Sequence, residues 1–159
     1  MTTEAKSSKK SGKLIVILSP DIYCRDLQIS NLSQYLNKDY YCRKFLNEQY
    51  LAAEESGEIA GALECGIMII TPHLFGELRL ALKNRNTDWD KLKQLIQEKP
   101  GPKPDIIIYI KNYKTDSLPY EKMAKENIGL EWVIINGNQS ILDISYDIIN
   151  VVIEKLDLR

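Results

Sequence analysis

Short, unbroken apolar runs constrain this chain more than any other feature. Leu14-Ile15-Val16-Ile17-Leu18, Ile67-Met68-Ile69-Ile70, Ile106-Ile107-Ile108-Tyr109-Ile110 and Trp132-Val133-Ile134-Ile135 are rich in β-branched residues and carry no polar residue at alternate positions. A strand with one wet face alternates, whereas a strand covered on both faces does not, so these runs read as buried strands of a parallel sheet. Each is far below the roughly 20 residues that a membrane-crossing helix needs. Tyr40 to Leu46 reads as a further strand of unclear register.

The intervening segments carry helical spacing. Leu27, Leu32, Tyr35 and Leu36 approximate a stripe, and 49–65 has the Ala, Glu and Leu content of a helix despite Gly57 and Gly61. Leu74 to Leu82 reads as helical. Trp89, Leu92, Leu95 and Ile96 keep a 3,4 spacing after Asp88, a natural N-cap, and before the stop Pro100-Gly101-Pro102. After the turn Asn136-Gly137-Asn138, a last helix is marked by Ile141, Ile144, Ile148, Ile149, Val152 and Leu156. Strands alternating with helices predict an α/β fold, a three-layer sandwich around a five-stranded parallel sheet.

With 159 residues, 44% of them hydrophobic and 27% charged, the chain has the composition and length of one globular domain. Twenty-one basic against 22 acidic side chains leave a net charge of −1, without the basic excess of a nucleic-acid binder. Cys24, Cys42 and Cys65 form no CxxC pair, which fits reduced thiols inside a cell, and His73 has no second histidine at metal-ligand spacing. No metal site is expected. Residues 1–12 read as a flexible basic tail bearing Lys6, Lys9 and Lys10, and 13–159 as the domain. The tail lacks the apolar segment of a secretory signal, and the arginine and amphipathic face of a mitochondrial presequence. A cytoplasmic address is the default expectation, with the mitochondrion left open.

In a parallel α/β sheet, ligands bind beyond the carboxyl ends of the strands. The informative residues are therefore Ser19 to Asp26, Leu46 to Gln49, Thr71 to His73 and Lys111 to Thr115. Gly12-Lys13 running into the first strand, with Gln28 in the amphipathic helix that follows, resembles the opening of thymidylate kinases and deoxynucleoside kinase-like proteins. Leu63-x-x-Gly66-x-x-Ile69-Ile70, Pro104-Asp105 before the fourth strand, and Glu131-Trp132 with Ser140-Ile141 are similar to later segments of that family, in the same order over 12–156. The resemblance implies a P-loop nucleoside monophosphate kinase-like fold.

It also exposes what this chain lacks. A phosphate loop needs glycines that free its backbone N–H groups, a lysine, and a hydroxyl for Mg²⁺. At the four matching positions stand Ser19, Cys24, Arg25 and Asp26, all changed from the family's residues. Asp26 is expected to cap the helix and take the donors that ATP would use. The family's Asp-Arg-aromatic motif falls on Thr71-Pro72-His73, where neither charge is kept, and its Phe-Pro-acid-Arg motif on Phe45-Leu46-Asn47-Glu48. The segment between the last two strands has no arginine, so the lid is expected to be reduced or absent. Phosphoryl transfer rests on positioned charge, and no catalytic residue is assigned.

The expected function is thus that of a catalytically inactive thymidylate-kinase-like protein, a structural or regulatory subunit that binds a protein partner or a second copy of itself. It would need no cofactor, and neither nucleic acid nor membrane insertion is expected. The tail, the tyrosine-bearing stretch from Tyr35 to Tyr50 and the vacated crevice are the candidate contact surfaces. The alternative is an active or nucleotide-sensing kinase-like protein that binds ATP and Mg²⁺ through Arg25, His73 and lysines. A flavodoxin-like or receiver domain fits poorly, because Ser19-Pro20-Asp21-Ile22-Tyr23 is neither an acid cluster nor a flavin-phosphate loop.

Overall fold

The structure is a computed structural model that describes residues 12–46, 48–73, 86–98, 102–112, 118–125 and 131–158. Its strands are β1 (Leu14–Leu18), β2 (Cys42–Lys44), β3 (Met68–Thr71), β4 (Ile106–Lys111) and β5 (Trp132–Asn136). They form one parallel sheet in the order β2-β3-β1-β4-β5. The described helices are α1 (Ile22–Leu36), α2 (Glu48–Glu55), α3 (Glu58–Glu64), α4 (Trp89–Glu98), α5 (Leu118–Lys125) and α6 (Ile141–Lys155). The α/β architecture expected from the apolar runs is what the chain adopts.

Central β1 explains why its run contains no polar residue. Alternate side chains of a strand point to opposite faces, and here both faces are roofed. Ile15 and Ile17 pack under α1 and α6 against Ile29, Leu32, Leu36, Ile144, Ile148 and Val152. On the other face, Val16 and Leu18 meet Leu92 and Ile96 of α4 and Met123 of α5. Leu14 and Ile69, on that same face, meet Phe45 and residues of α2 and α3.

Two residues from the sequence resemblance prove to be structural. Gly12 donates its N–H to the Leu63 carbonyl at 2.6 Å and lies so close to the Ile67 backbone that a Cβ would collide with it. Asp105 accepts from the Leu14 N–H at 2.8 Å, while its own N–H donates to the Leu14 carbonyl, clamping the starts of β1 and β4 together.

Several element-level expectations change. The helix read across 49–65 is two helices, broken at Gly57, whose φ of +81° is in the left-handed region that glycine enters without strain. The stripe read on α1 is rotated: Leu27 and Tyr35 are exposed, whereas Gln28, Ile29 and Ser33 join Leu32 and Leu36 inside. Ile141 of α6 is likewise exposed. Tyr50, counted with the tyrosine-bearing surface, is buried in the core. Asp88 does cap α4, accepting from Lys91 N–H at 3.2 Å. The expected helix at 74–82 lies outside the described residues. No described helix is long and apolar enough to cross a membrane.

Candidate functional site

The sheet order places β1 in the centre, with β3 on one side and β4 on the other, so the chain reverses its direction of winding at β1. Ligand crevices of open α/β sheets form at such a switch point. Here the carboxyl ends of β1, β4 and β5 surround a cleft of about 140 Å³ lined by Ser19, Asp21, Cys24, Ile110, Lys111, Asn112, Gly137 and Asn138. Of the residues singled out in the sequence, Ser19 and Cys24 reach it. Gly137 permits the close approach of its floor, since its N–H donates to the Lys111 carbonyl at 2.9 Å and a Cβ there would strike that carbonyl.

The connection from β1 into α1 consists of Ser19-Pro20-Asp21 and nothing more. Asp21, not Asp26, is the N-cap: its backbone is extended and its carboxylate accepts from the Cys24 N–H at 3.1 Å. The correction has a local cause. Proline fixes the backbone just before an aspartate, and an aspartate in extended conformation can fold its side chain onto the first turn. The helix therefore starts four residues earlier than a cap at Asp26 implies. Asp21 N–H itself donates to Ser19 Oγ at 3.1 Å, and Arg25 N–H to the Asp21 carbonyl at 2.9 Å.

The remaining residues of this segment are turned to one another. Within α1, Arg25 Nε donates to Asp26 Oδ1 at 3.0 Å. Burial, then the nearby Asp21 charge, pushes the Cys24 thiol above its ordinary range, so it stays protonated rather than becoming a nucleophilic thiolate. Lys111, the cation lining the cleft, pairs with Glu121 of α5 at 2.9 Å.

Thr71, Pro72 and His73 stand at the end of β3, on the other side of β1, and do not line the cleft. Thr71 and Pro72 are buried. Thr71 Oγ1 accepts from the His73 N–H at 3.2 Å, and the His73 ring stacks on Tyr50, with centroids 5.7 Å apart and planes at 14°. Tyr50 in turn meets Phe45 edge-on at 6.5 Å. Burial, with Glu54 adding to it, raises the Tyr50 phenol well above its ordinary range, so this stack is neutral at Tyr50. Phe45, the residue kept from the family's aromatic motif, is thus a core residue. Its partner Tyr50 carried no signal in the sequence beyond its helical setting.

Gln28 is wholly buried and belongs to neither group. Its Nε2 donates to the Ile141 carbonyl at 3.1 Å, and its Oε1 accepts from Ser145 Oγ at 2.6 Å. Asn31 donates to the same hydroxyl at 3.1 Å. These bonds fix α1 against α6.

A triphosphate does not fit the cleft. Sites for drug-sized ligands measure roughly 300–1,000 Å³, against about 140 Å³ here. A three-residue connection gives no arc of backbone donors to wrap a phosphate. The carboxylate of Asp21 already occupies the positive end of α1. Among the described residues no group of three or more His, Cys, Asp and Glu side chains is placed to hold a metal ion.

Comparison with known proteins agrees with this geometry at the level of the fold. No family model matches the chain, and no curated protein matches its sequence. Its structure is similar to the crystal structure of thymidylate kinase from Ehrlichia chaffeensis, with a TM-score of 0.66 and 15% identity over 89% of this chain and 99% of that one. The fold is therefore the thymidylate kinase-like P-loop fold.

Proposed function

We propose that this protein is a catalytically inactive thymidylate-kinase-like protein that works as a structural or regulatory protein-binding subunit. The observation that carries the reading is the entry into α1. Three residues join β1 to a helix whose first turn is closed by the chain's own Asp21 carboxylate. Phosphoryl transfer is catalysed by positioned electrostatics around the transferred group, and loss of one such group costs about 2.7–4 kcal/mol in a comparable oxyanion site. Ser19, Cys24, Arg25 and Asp26 supply neither the backbone donors nor the free cation and hydroxyl. Thr71, Pro72 and His73 bring no acid to place Mg²⁺.

The reading is tested by incubating the protein with labelled Mg²⁺-ATP and dTMP and measuring label transfer. Turnover equal to the protein-free blank is expected. Turnover above the blank that disappears in Arg25→Ala would refute it, and would mean that the guanidinium stands in for the missing lysine.

A further inference from the structure

Helices α1 and α6 form one outer face of the molecule, and that face is unusually poor in charge. From Leu27 to Asn37, α1 carries no Asp, Glu, Lys or Arg, and from Ile141 to Ile153 the charged residues of α6 are Asp143 and Asp147. Exposed on it are Tyr23 (89%), Leu27 and Tyr35 from α1, and Ile141, Leu142 (64%) and Tyr146 (58%) from α6.

These side chains lie along one seam. Gln28 bonds to Ile141, Asn31 bonds to Ser145, and farther along Tyr35 and Ile153 line one small depression. The contacts ascend together in sequence, so the two helices run in the same direction. Leu142, Tyr146 and the half-buried Ile149 and Ile153 continue along α6 at the spacing of a single helix face.

The exposed apolar side chains on this face amount to on the order of 500 Å². A standard interface covers roughly 800 Å² on each partner, somewhat more than half of it apolar. The face thus holds the apolar share of one ordinary interface, with the excess of tyrosine and the shortage of lysine and glutamate that interface centres show. A monomer rarely leaves so large a patch in water.

We infer that the chain pairs with a second copy of itself, α1–α6 face to α1–α6 face, about a two-fold axis. This rests on the reading of the chain as a protein-binding unit and names what it binds. A face without charge in its middle offers no grip to a partner recognised by charge, and it can meet its own image without like charges opposing. Asp143 and Asp147 both lie in the first half of α6. Because α1 and α6 run the same way, a perpendicular two-fold axis reverses the second copy's helices and sets those acids at opposite ends of the interface. Such a contact is isologous and closes on itself.

Sedimentation velocity of the full chain from low to high micromolar concentration tests the inference. The expected species at high concentration has twice the mass of one chain. Leu142→Lys and Tyr146→Lys, each at an exposed position, should weaken the dimer about 30-fold. Leu95→Lys, at an exposed apolar position on α4 on the opposite side of the sheet, should leave it intact. A wild-type chain that stays monomeric at high micromolar concentration overturns the inference, as does a dimer that survives both α6 variants. A dimer that also transfers phosphate refutes the inactive reading and leaves this face standing. A monomer without turnover does the reverse.

Discussion

Asp21 holds the α1 N-terminus through a single side-chain hydrogen bond, and its removal should be felt. Asp21→Ala is expected to cost about 0.5–2 kcal/mol, measured as a lower midpoint in urea unfolding. Asp26→Ala should cost less, because Asp26 lies past the first turn and its pairing with Arg25 is partly exposed. Equal costs would show that both acids cap the helix. Cys42 gives a pH signature. Its thiol is pushed up to about 11, chiefly by burial, with the hydrogen bond to Ser33 pulling the other way, from an ordinary value of 9.0. Between these values the unfolded chain has lost a proton that the folded chain keeps. Stability from this site is therefore complete below pH 9 and is lost as the pH rises toward 11. The urea midpoint should decline over that window, and Cys42→Val should flatten the decline, leaving the part due to Tyr50, whose phenol is also raised.

Between elements, the joint of α1 with α6 depends on a buried polar group. Gln28→Leu leaves the Ser145 hydroxyl without its strongest acceptor and should cost about 1–3 kcal/mol, read as a lower Tm. Adding Ser145→Ala removes the stranded hydroxyl, so the double variant should lose less than the two single losses combined. Strict additivity would mean that the 2.6 Å bond contributes nothing to the coupling. This joint also shows where the sequence was legible. The strands could be read because burial on both faces leaves an unbroken apolar run, as in 14–18 and 106–110. The facing of α1 could not, because apolar counting places Leu27 inside and Gln28 outside. The reverse holds because Gln28 finds its partners on α6, 113 and 117 residues away. The cap on α1 was legible locally in Ser19-Pro20-Asp21, and matching to a family motif pointed instead to Asp26. The stack of His73 on Tyr50 joins two elements and has no local signal at all.

For the whole molecule, the fold keeps the crevice of a P-loop protein and fills its entrance. The sheet order and the switch point at β1 survive with 15% identity to a thymidylate kinase, since a buried parallel sheet asks only for apolar residues of suitable shape. The site asks for particular atoms, and at Ser19 to Asp26 those atoms serve the helix. The central claim, that this crevice takes no nucleotide, is tested most directly by thermal unfolding with and without millimolar Mg²⁺-ATP, Mg²⁺-ADP and dTMP. A ligand at 100 times its Kd adds about 2.7 kcal/mol, which for a chain of this size raises Tm by roughly 5–10 °C. The account predicts no shift with any of the three. A shift of that size that vanishes in Arg25→Ala would contradict it.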